Sequence, residues 1–260
     1  MTMRVVILAL VATGLTIVTR AAAAQGEFHW KGKVAAGKTI EIKGVNGDVS
    51  AVAGSGDVEV TAVKSARRSD PEDVKIEVVP SEDGVTICAV YPSDGRRENT
   101  CEPGEHDHMN VRDNDVRVDF TVRVPEGVRF RGTTVNGKVD AANLSSDVDA
   151  TTVNGSIRIS TTGYAEARTV NGSIVASMGK ATWSDALDFA TVNGGITLDL
   201  PANLSTEVKA TTVNGDIETD FPLTITGRFG HRRLNGTIGS GGRRLELSTV
   251  NGTIKLRKAG

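Results

Sequence analysis

Apolar and polar side chains alternate with a period of two along much of this 260-residue chain, and a recurring bend punctuates the alternation. The tripeptide Val-Asn-Gly or a near copy occurs eight times, centred on Asn46, Asn136, Asn154, Asn171, Asn193, Asn214, Asn235 and Asn251. The glycines that follow are Gly47, Gly137, Gly155, Gly172, Gly194, Gly215, Gly236 and Gly252. Six residues before each Asn stands Ile40, Phe130, Val148, Ala165, Leu187, Val208, Phe229 or Leu245. Four before it stands Ile42, Gly132, Ala150, Ala167, Phe189, Ala210, His231 or Leu247. Between these columns lie Glu41, Arg131, Asp149, Glu166, Asp188, Lys209, Gly230 and Glu246. Apolar, charged, apolar is the signature of a strand with one buried face. Three residues after each Asn comes Val49, Val139, Ile157, Ile174, Ile196, Ile217, Ile238 or Ile254, and every one is β-branched, as a pleated surface favours. Each unit is therefore predicted to be a strand, an Asn-Gly bend and a second strand.

From Asn136 onward the copies are spaced by 18, 17, 22, 21, 21 and 16 residues, a period that marks a repeat architecture. Two arrangements make the pattern. Asn-Gly between alternating segments is a strong hairpin signal, and tandem hairpins would give an antiparallel meander. Alternatively the bend is a corner in a coil whose turns stack in parallel. The coil is preferred, because the residue before Asn is Val in seven copies and Leu234 in the other, which suits a corner that turns it inward. Stacked corners would also let the Asn side chains form a ladder, with Gly permitting a positive backbone angle. The expected fold is all-β: a parallel β-solenoid of roughly 20-residue rungs with a less regular N-terminal β cap.

The chain ends refine this picture. Arg4, the apolar run Val5 to Val18 and the small residues Ala22 to Ala24 read as a secretory signal peptide over 1–24. Residues 25–128 are expected to form irregular rungs and a cap, and 129–260 the regular repeats, with 25–260 one continuous domain. Lys255, Arg257 and Lys258 place charge on the last strand, which would protect an open edge. The expected location is outside the cytoplasm: periplasmic, secreted or on the cell surface.

Without the leader the chain carries 28 basic and 32 acidic side chains, mixed along its length. That argues against nucleic acid as a partner, which would favour a concentrated basic face. No apolar stretch long enough to span a membrane follows the leader. Cys88 and Cys101 are the only cysteines and fit an exported protein as one disulfide, worth about 3 kcal/mol in the chain-entropy model. Aromatics make up only 4% of the chain, which suits thin β layers filled by Val, Ile, Leu and Ala.

The repeat, the exported leader and the segment Phe-Thr-Val-Arg-Val-Pro-Glu-Gly-Val at 120–128 resemble a bacterial family of β-strand-repeat proteins. Its members carry a domain of unknown function with a provisional adhesin label. The resemblance covers roughly residues 38–260 and implies a right-handed solenoid. It brings no catalytic residues.

Candidate chemistry lies where the repeat is broken. Glu105-His106-Asp107-His108 could hold Zn or Cu, with His106 and His108 as ligands, although a solvated acidic loop is the simpler reading. Trp183 could stack on a sugar or pack on the rung edge. Arg232, Arg233, Arg243 and Arg244 could form a basic spot for an anionic envelope polymer. Thr134, Thr152, Thr169, Thr191, Thr212 and Thr249, two before Asn, could present a hydroxyl array, or simply serve the corner. Asp149, Glu166 and Asp188 share a column that Lys209 interrupts, so paired carboxylates for glycoside cleavage are not evident. No cofactor is implied. The sequence points to a non-catalytic exported protein with a structural or adhesin-like binding role at the bacterial cell envelope, its partner an unidentified polymer or protein. A polysaccharide lyase or hydrolase on the same scaffold is the alternative.

Overall fold

The computed structural model describes residues 26–93, 95, 97–104, 108–225 and 232–259. The proposed leader, His106 and the repeat positions 229–231 fall outside the described residues. Two sheets of ten and eleven strands face each other across one buried cluster that runs from Ile40 to Leu256. Each regular rung crosses from the larger sheet to the smaller one through an Asn-Gly corner. Rung Asn136, for example, joins strand Arg129–Thr133 to strand Val139–Leu144. Neighbouring rungs pair in parallel, so Phe130, Val148 and Ala165 stack in one interior column. Ile157, Ile174 and Ile196 stack in another. The meander is thereby excluded, and a coil of parallel layers is what forms.

The order of the rungs in space is not their order in the chain. From one end the corners run Asn46, Asn136, Asn154, Asn171, Asn193, Asn251, Asn214. The last rung, Arg244–Ser248 with Ile254–Lys258, is inserted between the Asn193 and Asn214 rungs. The other end mirrors this. Rung Asn46, Thr39–Lys43 with Val49–Gly54, lies between rung Asn136 and a layer made by Gly84–Val90 and Arg117–Pro125. Both ends of the repeat are thus tucked inside the stack. The expectation that Lys255, Arg257 and Lys258 guard an edge is corrected: their strand has neighbours on both sides.

Among the described residues, antiparallel strands cover three of the four sheet edges, and the parallel strand Ile217–Thr219 ends the ten-stranded sheet at the fourth. Val58–Ser65 and then Gly26–Gly32 lie against Arg117–Pro125, and Lys75–Ser81 lies against Gly84–Val90. At the far end Arg233–Ile238 and Leu223–Ile225 cover Thr206–Thr211. Reversing direction at an edge ends the parallel stack while satisfying its backbone groups. The eighth expected corner is lost to this cap, because Asn235 and Gly236 sit mid-strand opposite Lys209 and Val208. Arg233 occupies the place where the late corners carry Thr.

Seven corners share one construction. Each Asn side-chain amide donates to the Asn Oδ1 of the preceding layer, at 2.7–2.9 Å across six steps. The Thr two before Asn is buried, and its hydroxyl donates to the corner-Gly carbonyl of that same layer, as from Thr152 to Gly137 at 2.8 Å. The hydroxyl array is therefore internal and serves the corner. Rung Asn46 has Gly44 in place of Thr, and no Asn-Gly corner precedes it. There the buried Tyr91 hydroxyl donates to Val116 O at 2.8 Å, and desolvation pushes the phenol's pKa up to about 12.

Two expectations about the corner fail for identifiable reasons. The Val before Asn points outward: Val135, Val153, Val170, Val192, Val213 and Val250 are 37–50% exposed. The inward alternation ends on Thr, because the interior of the bend contains a carbonyl that needs a donor. Nor does Gly serve by positive φ, which only Gly47 of the seven adopts. Glycine is required by crowding. A Cβ on Gly155 would lie 1.9 Å from Gly137 O, and on Gly172 1.9 Å from Gly155 O.

Gly155→Ala should therefore cost about 3 kcal/mol or more in urea unfolding. Gly236→Ala, whose nearest neighbour would be 3.3 Å away, should cost under about 1 kcal/mol. Thr152→Val leaves Gly137 O without its hydroxyl donor and should cost about 1–3 kcal/mol in the same assay.

Candidate functional site

The outer face of the larger sheet is where the repeat carries varied chemistry. Its central column runs, in space, Thr86, Glu41, Arg131, Asp149, Glu166, Asp188, Glu246, Lys209. Inserting the last rung moves Glu246 between Asp188 and Lys209. Four carboxylates therefore stand in succession before a lysine breaks the run. Burial, and then the neighbouring Asp149 carboxylate, raise the Glu166 pKa above its ordinary value. The cations interleave with this column. Arg131 holds Asp149 at 3.0 Å and Glu41 at 3.6 Å, and Arg168 holds Asp188 at 2.9 Å and Glu166 at 3.8 Å.

A loop after strand Gly84–Val90 forms a wall beside one end of this face. The Cys88–Cys101 disulfide ties it to the sheet, as the cysteine count predicted. Asn99 brackets its base, donating to Tyr91 O and Asn110 O at 2.9 Å and accepting from Asn110 N at 2.7 Å. The buried Glu41 carboxylate accepts from the Thr86 hydroxyl at 2.8 Å and from Gly104 N at 3.1 Å. Lys43 Nζ donates to the Glu102 and Gly104 carbonyls. Glu41 and Lys43 are thus committed to holding the loop.

Between the loop and the corner valines lies a groove of about 590 Å³. Its lining includes Val45, Met109, Arg131, Thr133, Val135, Asp149, Thr151 and Arg168. Thr133 and Thr151 are half-buried, and among the described residues neither hydroxyl has a hydrogen-bond partner. A smaller cavity of about 110 Å³ shares Arg131 and Asp149 and adds Tyr164, Arg129 and Glu166. Lys180 lies 5.2 Å from the Tyr164 ring centroid and bonds Asp147 at 2.7 Å.

The residues singled out from the sequence are distributed differently. Trp183 packs on the core edge with its indole N–H 3.4 Å from Arg244 O. The four arginines do not converge. Arg233 pairs with Thr211 at one end of strand Thr206–Thr211, and Arg244 with Glu207 near the other, about 13 Å apart along the strand. Arg232 and Arg243 follow these two ends. His108 is half-buried, and its backbone bonds Thr100 at both groups. No group of three or more possible metal ligands occurs among the described residues. No helix among them is long and apolar enough to cross a membrane.

The groove was not evident in the sequence, because it depends on which rungs the loop overlies. Its signal was the interrupted column three before Asn: Lys43, Thr133, Thr151, Arg168.

Layers of parallel strands stacked through Asn-Gly corners, with variable polar chemistry on the outer faces, define a β-repeat scaffold. The chain belongs to the Toastrack DUF4097 family, whose pattern matches residues 38–257. None of the curated proteins compared is similar to it. Similar solved structures include a protein from Clostridium sporogenes ATCC 15579, provisionally described as a cell adhesion protein. It has 12% identity and a TM-score of 0.49, over 91% of this chain and 100% of that one. Another is a provisional adhesin from Bacteroides fragilis NCTC 9343, with 13% identity and a TM-score of 0.32, over 90% of this chain and 97% of that one. These likenesses are too distant to carry functional argument.

The charge column makes a pH prediction. A carboxyl whose folded pKa is raised contributes stability at low pH that is lost as pH rises through that value. Between about pH 4 and pH 7 the melting temperature of the wild type should fall relative to that of Glu166→Gln. Parallel curves would show that Glu166 is not under this strain.

Proposed function

We propose that this is a non-catalytic, exported β-repeat protein that binds a polymer or protein at the bacterial cell envelope. The observation that carries the reading is the groove beside the disulfide-tied loop. Its guanidiniums are braced in place by carboxylates, its threonine hydroxyls have no partner among the described residues, and its apolar wall is exposed. Donors fixed in advance lose little freedom on binding, which is what a recognition surface needs. The leader supports export, and the family resemblance supports an adhesin-like role.

A second reading follows from Glu166. A carboxyl with a raised pKa beside Asp149 and Asp188 is the pairing that glycoside cleavage employs. Release of soluble products from polysaccharides, lost in Glu166→Gln, would favour it over simple binding.

Residues 25–260, immobilised and exposed to a bacterial envelope fraction, should retain a saturable component. Thr151→Trp fills the groove from an outward position and should reduce that retention about tenfold without changing the melting temperature. Equal retention by the variant would remove the groove from the function.

A further inference from the structure

The chemistry of the groove indicates what it binds, given that it is a binding surface. We infer that it takes a linear, uncharged polysaccharide, lying across the strands rather than along them. The lining residues come from five adjacent strands of the larger sheet, from Ala89 through Lys43, Thr133 and Thr151 to Arg168. Ala89 is fully buried, so the open floor runs from the rung of Val45 to Arg168, three strand spacings or about 14 Å, a length that takes about three sugar units.

Charge decides against a polyanion. Arg131 and Arg168 are each shared between two carboxylates, and Asp149, Glu166 and Asp188 follow one another beside the groove. An acidic chain would meet those carboxylates and would have to displace existing ion pairs. A polycation would face the two guanidiniums. Sugar hydroxyls avoid both costs, since each donates to a carboxylate and accepts from a guanidinium without separating the pair. Arg has five N–H donors, and the ion pairs occupy only some of them. Thr133 and Thr151, on adjacent strands between the two arginines, add two hydroxyls able to donate and accept. Val45, Val135 and Met109 offer apolar surface for the C–H faces of the rings.

The geometry also disfavours a peptide. An extended peptide gains most of its affinity by adding to a sheet edge. Here each strand crossing the floor already has a neighbour on both sides, so the face offers side chains and no free backbone ladder.

The test is calorimetric titration of residues 25–260 with neutral linear oligomers of glucose and of N-acetylglucosamine, two to eight units long. An oligogalacturonate and a neutral octapeptide serve as comparisons. A neutral oligomer should bind with affinity that rises with length up to about three units, and that changes less than twofold between low and physiological salt. Thr133→Val/Thr151→Val keeps shape and strand propensity and should weaken binding about tenfold at an unchanged melting temperature. Binding of the acidic oligomer alone, with a steep salt dependence, would overturn the inference, as would binding of the peptide alone. No binding by any neutral oligomer at millimolar concentration would overturn it too. If envelope retention were still lost in Thr151→Trp, the binding reading would stand with a different ligand.

Discussion

The backbones of successive corners approach one another closely, and the rest of the fold depends on it. Each corner glycine sits where a Cβ would fall about 2 Å from the carbonyl of the layer below. That closeness brings the Asn amides within hydrogen-bond reach of one another and the Thr hydroxyl within reach of the Gly carbonyl. Three residue types within four consecutive places therefore specify one geometry. The strands on either side inherit their register from it, because a slip by one residue would turn every apolar column outward.

The same constraint explains why chain order and spatial order diverge. Six of the seven corners stack on another corner. The rung built on Asn251 fits against Asn193 as well as a rung built on Asn214 would, with 2.7 Å amide bonds to both neighbours. The chain uses this equivalence at its C-terminal end, inserting its last repeat rung inside the stack; at the other end rung Asn46 rests on a layer that has no Asn-Gly corner. Antiparallel strands, which cannot make the corner, close three of the four sheet edges among the described residues.

Much of the fold was legible in the residues. The interior columns at Ile40, Val148 and Leu187 and the β-branched column at Ile157 and Ile174 were read from alternation alone, since burial imposes it. The corner interior was misread, because Val is apolar and Thr is not, yet a buried carbonyl makes Thr the better inward residue. Asn235 shows how the motif can mislead: it has the Asn-Gly but not the Thr, and it lies in a strand. Rung order was hidden for the reason already given, and with it went the uninterrupted row Asp149, Glu166, Asp188, Glu246. The disulfide was readable from two cysteines; the groove beside its loop was not, since it is assembled by long-range packing.

The central claim is that corner stacking, not chain order, sets the arrangement of the rungs. It is tested most directly by nuclear Overhauser contacts among the Asn side-chain amides. The account predicts contacts from Asn251 to both Asn193 and Asn214, and none between Asn193 and Asn214. A direct Asn193–Asn214 contact, with Asn251 touching only one of them, would contradict it.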